Sequence, residues 1–235
     1  MKNNQSISVK NKTILAVSAH PDDIEFACGG TLFKIKEQWN DIYLIVATNG
    51  ENGFKVNHKP KLQRIKIRTK EQQNAADILG IKKVFFLNYK DCYLRNTDKL
   101  RKEIAAIIKK VKPDIIFSFD PANRTYESVN LLHRDHREIS EAVFDAVFAA
   151  RNRYFLKGNP HFVKQFWFFG CSNPNNYENI TSYINNKINL IAAHKSQYTD
   201  YNIMSNWVKT HLSNYSKKYK YSEKFRIVNI TKPEL

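Results

Sequence analysis

The chain has 235 residues, 42% hydrophobic and 13% aromatic, enough to bury the core of one domain and too apolar for a disordered chain. Lysine and arginine number 38 against 22 acidic residues, a formal charge of +16 that either spreads over solvated faces or favours an anionic partner, a phosphate-bearing substrate, a nucleic acid or an acidic membrane surface. No nucleic-acid-binding signature accompanies this charge and no apolar run approaches a membrane span, so neither a nucleic acid partner nor a transmembrane segment is expected.

Thr13–Ser18 (TILAVS) is a short apolar run ending at a Pro/Asp cluster, which predicts a buried strand. Gly29–Gln38 follows as a helix, and Asp41–Thr48 (DIYLIVAT) as the second strand. A Gly- and Asn-rich loop, Asn49–Pro60, precedes a long helix over Lys61–Leu79, closed by Gly80 in the C′ position. Lys83–Leu87 is a third strand. Thr97–Lys110 is a helix with Thr97 as its N-cap. Pro113 precedes strand Asp114–Phe119, a polar loop Asp120–Asn130, and a helix over His133–Arg151. Gln165–Gly170 is a fifth strand and Ile180–His194 a further helix, while the pattern from Tyr201 to Leu235 assigns no element. Strands separated by helices imply crossovers, and hence an α/β class: a Rossmann-like three-layer fold with a mainly parallel sheet flanked by helices, in one domain over 1–235. Ligands of such sheets bind beyond the carboxyl ends of the strands, which directs attention to the loops after the first, second and fourth strands.

The first loop is Ala19-His20-Pro21-Asp22-Asp23. Two adjacent carboxylates and a histidine are costly to crowd together unless a divalent cation balances them, although Pro-Asp-Asp is also ordinary turn chemistry. GxGxxG is absent, which argues against a dinucleotide-dependent oxidoreductase or methyltransferase. Cys28 beside glycines reads as packing rather than ligation. On the long helix Ile65, Arg68, Gln72, Ala75 and Leu79 share one face, so Arg68 faces inward and needs an acceptor, for which Glu71 is at hand. His133-Arg134-Asp135-His136 opens the helix after the fourth strand. Its two histidines share a side, His136 runs into the stripe Ile139, Val143, Ala146 and Ala150, and Asp135 can orient an imidazole.

Together these residues resemble the PIG-L/LmbE family of metal-dependent N-deacetylases. AHPDDIEFACGGTL matches the family's opening signature, HRDH its HxDH motif, and Arg68 with Glu71 in RTKEQQNAADILG its RxxE…AA…LG helix. Lys187 and His194-Lys195-Ser196-Gln197 match a C-terminal K…HxSQ segment, so the resemblance covers about residues 12 to 200. It implies that His20, Asp23 and His136 hold one divalent ion, zinc by family habit, with ferrous iron suited to the same donors. It further implies Asp22 as general base and then acid, a protonated His133 at the developing oxyanion, and Arg68 and Asp135 as supporting groups. The implied reaction releases acetate from an N-acetylated amino sugar or glycoconjugate. A same-mechanism amidase or esterase on another acyl substrate, and a non-catalytic domain binding an anionic glycan, are the alternatives.

Some members carry a tyrosine two residues before HxDH. Leu131 stands there in this chain, with Tyr126 a candidate substitute, and Ile24 replaces a common acidic residue although Glu25 follows. The resemblance leaves a homo-oligomer open and gives residues 201–235 no counterpart. Within them Lys209–Lys224, interleaved with Tyr215, Tyr219 and Tyr221, reads as solvated surface or as a strip for an anionic substrate. Three cysteines without a CxxC pair, and a polar Met1–Lys12 without an apolar leader core, point to a reducing, cytoplasmic setting.

Overall fold

In the computed structural model, which describes residues 9–54, 59–123 and 132–230, the alternating elements build one twisted sheet with helices on both faces. The strands are β1 (Thr13–Ser18), β2 (Asp41–Thr48), β3 (Lys83–Tyr89), β4 (Ile115–Phe119), β5 (Gln165–Phe169), β6 (Asn176–Asn179) and β7 (Ser222–Asn229). Their order is β3-β2-β1-β4-β5-β7-β6, parallel from β3 through β5, with β7 antiparallel to both neighbours. β1 lies inside the sheet between β2 and β4, where Ile14 is in register with Ile42 on one side and Ile115 on the other. Its Ile14, Leu15, Ala16 and Val17 are all fully buried, which is why it reads as an unbroken apolar run rather than an alternating one.

The helices are α1 (Asp23–Lys36), α2 (Lys61–Leu79), α3 (Asp98–Val111), α4 (Arg134–Ala150), α5 (Ile184–Ala192) and α6 (Tyr201–Ser213). Leu100 and Ile104 of α3 and Ile139 and Val143 of α4 pack with Leu15, Val17 and Ile45 on one face of the sheet. Ile24 and Leu32 of α1, Ala75 of α2 and Leu190 of α5 pack with Ile14, Ala16 and Leu44 on the other. α6 lies outside these layers, its Met204 and Val208 closing a smaller cluster with Ile188 and Ile191 of α5. The expected three-layer α/β class is therefore the observed one. Thr97 caps α3 by accepting from the Leu100 amide at 3.3 Å, and Gly80 ends α2 in the left-handed region, φ 74°.

Three expectations are corrected. α1 begins at Asp23, ahead of Gly29, because the first loop leads straight into the helix. Gly29 and Gly30 are helix-interior residues. A Cβ on Gly30 would stand 2.7 Å from Ile180 Cδ1, so its bareness serves close packing rather than helix initiation. The element expected over Ile180–His194 is a 3₁₀ turn, Thr181–Tyr183, followed by α5. The segment from Tyr201, to which the sequence pattern assigns no element, supplies α6 and β7, and β6 is likewise absent from the sequence pattern.

No described helix is long and apolar enough to cross a membrane, and Cys28, Cys92 and Cys171 are free thiols. Tyr126 and Leu131 lie outside the described residues.

Candidate active site

The sheet reverses direction between β1 and β4, since the chain leaves β1 toward β2 and β3 and later returns on the other side. That switch point opens a crevice at the carboxyl ends of the two strands, where the first and third motifs both arrive. Asp22 sits between β1 and α1 with φ 98°, a left-handed conformation uncommon for a residue with a side chain. The turn is held by Asp23, whose Oδ2 accepts from the Ala19 amide at 2.9 Å and the His20 amide at 2.7 Å. From the other side His133 is the N-cap of α4, its Nδ1 accepting from the Asp135 amide at 3.2 Å. His133 and His136 then stack with ring centroids 4.8 Å apart, and Phe119, the last residue of β4, stacks on His136 at 4.1 Å.

These elements bring His20, Asp23 and His136 together. His20 Nδ1 lies 3.1 Å from His136 Nε2 and 3.6 Å from Asp23 Oδ2, and His136 Nε2 lies 3.3 Å from Asp23 Oδ1. A tetrahedral cation with bonds of about 2.0–2.1 Å spaces its ligand atoms about 3.3 Å apart, and the three separations, which reach both oxygens of Asp23, are of that order. The donor set agrees, two imidazoles and a carboxylate suiting zinc or ferrous iron. Burial works against charge on His20, but hydrogen bonds to Asp135, Asp23 and Asp91 outweigh it and hold the imidazolium well above the ordinary range. Burial likewise pushes Asp23 up, and His136 and His20 pull it well below the ordinary carboxylate range. Asp23, Asp91 and Asp135 thus crowd around His20, a concentration of negative charge that calls for a cation.

Asp22 faces the same space without joining the triangle. Arg68 of α2 donates to Asp22 Oδ2 at 3.3 Å and to the Pro21 carbonyl. The expected Arg68–Glu71 pair is not formed: Glu71 instead accepts from the Ser196 amide and hydroxyl, both at 2.7 Å. Two donors on the HKSQ segment satisfy both oxygens of Glu71, and the inward Arg68 reaches the first loop instead. Gln72 carries the network on, its Oε1 accepting from the Asp22 amide at 3.1 Å while its Nε2 donates to Glu25 at 2.8 Å. Behind Glu25 stands His194, fully buried, Nε2 3.6 Å from Glu25 Oε2. Burial raises the pKa of Asp22, and Arg68 and His194 only partly offset it. A carboxyl so placed can carry a proton nearer neutrality than an exposed aspartate can.

Asp135 is fully buried and every contact around it is specific. Its carboxylate accepts from the Cys92 amide at 2.7 Å and the Leu94 amide at 3.1 Å, and stands 3.2 Å from His20 Nε2. Asp91 Oδ1 stands 3.1 Å from the same nitrogen. Both acids accept at His20 Nε2, so that a cation taking the place of the Nδ1 proton would meet the Nδ1 lone pair. Asp91 was missed by sequence reasoning, which searched the loops after three strands and not the one after β3. An acidic residue two positions past the end of that strand was the available signal. Its carboxyl is lowered to about 2, because contacts with His20 and the Asn52 amide outweigh its burial. Burial, then His20 and His136, lower the pKa of His133. With Nδ1 accepting from an amide, its Nε2 carries the hydrogen.

Asp22, Asp23 and His136 border a cleft of about 710 Å³ that runs out between α1 and α6. Cys28 is not among the residues facing it and is buried in the core of α1, burial raising its thiol pKa well above the ordinary value.

A family model described as PIG-L, GlcNAc-PI de-N-acetylase, matches residues 15–147. Diacetylchitobiose deacetylase of Thermococcus kodakarensis is 29% identical over 199 residues, covering 80% of this chain and 71% of that protein. The probable N-acetyl-alpha-D-glucosaminyl L-malate deacetylase 2 of Bacillus anthracis is 26% identical over 200 residues, covering 79% and 81%. Among solved structures, N,N'-diacetylchitobiose deacetylase from Pyrococcus horikoshii superposes with a TM-score of 0.85 at 28% identity, over 93% of this chain and 84% of that one.

Proposed function

Since the matched residues make up more than half of it, the chain belongs to the PIG-L family, and from that premise we propose that it is a metal-dependent hydrolase releasing acetate from an N-acetylated amino sugar or its conjugate. The observation that carries this reading is the meeting of His20, Asp23 and His136 in a triangle of cation size, with the carboxyl of Asp22 beside it and outside it. Amide hydrolysis needs a nucleophile, an acceptor and donor for one proton, and a group opposite the developing oxyanion. The deacetylase names of relatives that align over most of this chain support the acyl group and the sugar.

In this reading His20, Asp23 and His136 would hold the divalent ion, zinc in the first instance. When bound, such an ion acidifies water and polarises a carbonyl oxygen. Asp22 takes the proton of the attacking water and returns it to the nitrogen of the leaving amine. Arg68 and Gln72 hold Asp22 in place, one at its carboxylate and the other at its backbone amide. His133 serves the oxyanion as a neutral donor through Nε2–H. Asp135 and Asp91 keep His20 in the tautomer that presents Nδ1.

The test is Asp22→Asn, assayed for acetate release from N-acetylglucosamine and its conjugates beside metal analysis of the purified protein. The substituted protein is expected to retain the metal and lose about 10²–10⁴ in kcat. A variant that keeps both metal and wild-type turnover would remove Asp22 from the mechanism. A wild-type protein that retains no divalent ion would remove the hydrolase reading altogether.

A further inference from the structure

A buried polar chain runs from Asp22 away from the cleft, and its far end has no part in the proposed chemistry. Asp22 holds a left-handed φ of 98°, and its backbone amide donates to Gln72 Oε1, 3.1 Å away. Gln72 is fully buried, and its other end, Nε2, donates to Glu25 Oε1 at 2.8 Å. A side-chain amide accepts at one end and donates at the other, and its shape alone does not decide which way it faces. Here the neighbours decide. The Asp22 amide can only donate and the Glu25 carboxylate can only accept, so Oε1 turns to Asp22 and Nε2 away from it.

Glu25 is 1% exposed, and its second oxygen, Oε2, has no hydrogen-bond partner among the described residues. The basic group within ion-pair distance of that oxygen is His194, whose Nε2 stands 3.6 Å away. His194 is itself fully buried, and neither of its ring nitrogens is hydrogen-bonded among the described residues. An apolar side chain would fill that space with no polar atom to strand, so packing alone does not account for a histidine there. The carboxylate does, because a buried charge needs a partner of opposite sign. Burial works against charge on His194, but Glu25 outweighs it and raises the pKa of the ring. Two residues along, Ser196 donates to Glu71 through its amide and its hydroxyl, each at 2.7 Å. The segment that carries His194 is therefore tied to α2 beside Gln72 as well as to Glu25 of α1. We propose that Glu25 and His194 are positioning residues for Asp22. His194 holds the Glu25 carboxylate, Glu25 sets the way the Gln72 amide faces, and Gln72 keeps Asp22 in its left-handed turn. This rests on the reading of Asp22 as the group that carries the proton.

The test uses the metal-loaded protein and two measurements: kcat and KM for acetate release from N-acetylglucosamine and its conjugates, and hydrogen exchange at the Asp22 amide. His194→Phe keeps a ring and removes the partner of Glu25. It is expected to speed exchange at Asp22 and to lower kcat about ten- to a hundredfold, with KM and metal content unchanged. His194→Gln restores a donor of similar reach and should return most of both. Gln72→Leu should reproduce both effects. The double variant of His194→Phe with Gln72→Leu should lose no more than Gln72→Leu alone, because the two residues act along one path. Losses that multiply in the double variant overturn the positioning role. So does an Asp22 amide as well protected in His194→Phe as in wild type, or faster exchange with kcat unchanged in a protein that releases acetate. Should His194→Phe not fold, an Asp22 amide still protected in Gln72→Leu overturns it equally. Faster exchange at Asp22 in His194→Phe, in a protein whose wild type releases no acetate, upholds the chain of contacts and overturns the deacetylase reading instead.

Discussion

Lys187 and Glu223 form an ion pair in which both side chains are 1% exposed, and its removal gives a stability change that the structure sets in size. Lys187 Nζ lies 2.5 Å from Glu223 Oε1, 2.5 Å from the Phe26 carbonyl and 2.9 Å from the Glu25 carbonyl, so all three ammonium hydrogens are used. Glu223 also accepts from the Gly30 amide at 3.0 Å and the Thr31 amide at 2.7 Å. The pair thus ties α5 and β7 to the helix whose first turn carries Asp23. Lys187→Met keeps most of the stem's volume but strands a buried carboxylate, a change that costs about 3–5 kcal/mol. In a protein of this size each kcal/mol moves Tm by about 2–4 °C, which gives a fall of roughly 6–20 °C. Glu223→Gln keeps an acceptor without the charge, so the double variant should recover about 1–3 kcal/mol over the sum of the singles. Thermal and urea unfolding of the four proteins measures this. A fall under about 2 °C in Lys187→Met, or strict additivity in the double variant, would show that the buried pair is not what joins these elements.

Three further outcomes follow from the contacts of the site. Asp135→Asn should weaken metal binding about 10–100-fold in a competition titration against a chelator, and unchanged affinity would mean that Asp135 does not orient His20. Arg68→Ala removes a positive charge that lowers the pKa of Asp22, so the acidic limb of the kcat/KM profile, which reports the deprotonated base, should move to higher pH; a limb that stays in place would separate Arg68 from Asp22. Gly50→Ala puts a Cβ 2.9 Å from Arg68 Nε and 2.9 Å from Pro21 Cδ at a residue with φ 60°, and should lower kcat between about ten- and a hundredfold without loss of metal.

The parallel half of the fold was legible because each element there announces itself locally. β2 and α2 fall on the residues predicted, Asp41–Thr48 and Lys61–Leu79, since an apolar run and a helix-ending glycine mark their limits. The triangle was legible for a different reason. His20, Asp23 and His136 belong to motifs 116 residues apart at their ends, and the resemblance united what spacing could not. What escaped was everything whose partner is distant and unmarked. Nothing in the order Arg68, Glu71 says that one side chain turns to Asp22 and the other to Ser196, because both lie on the inward side of α2 and the choice is made by which donors and acceptors tertiary packing delivers.

The C-terminal segment shows the same limit most clearly. Met204, Val208 and Leu212 repeat at intervals of four and would mark a helix, but Tyr201, Ile203 and Trp207 stand exposed on its other side and blur the stripe. An amphipathic pattern is legible only when the outward face is polar. Here Ile203 and Trp207 of the exposed side line the cleft, and so do Met204, Val208 and Leu212 of the buried one, so large side chains are needed on both. β7 was hidden by the reverse condition: its Glu223 is a buried acid in a strand, unreadable as core until Lys187 and the amides of α1 are seen to satisfy it. The cluster around His20 is therefore legible in short motifs, because close-set imidazoles and carboxylates constrain residue types, while α6 and β7 are legible only in burial and exposure.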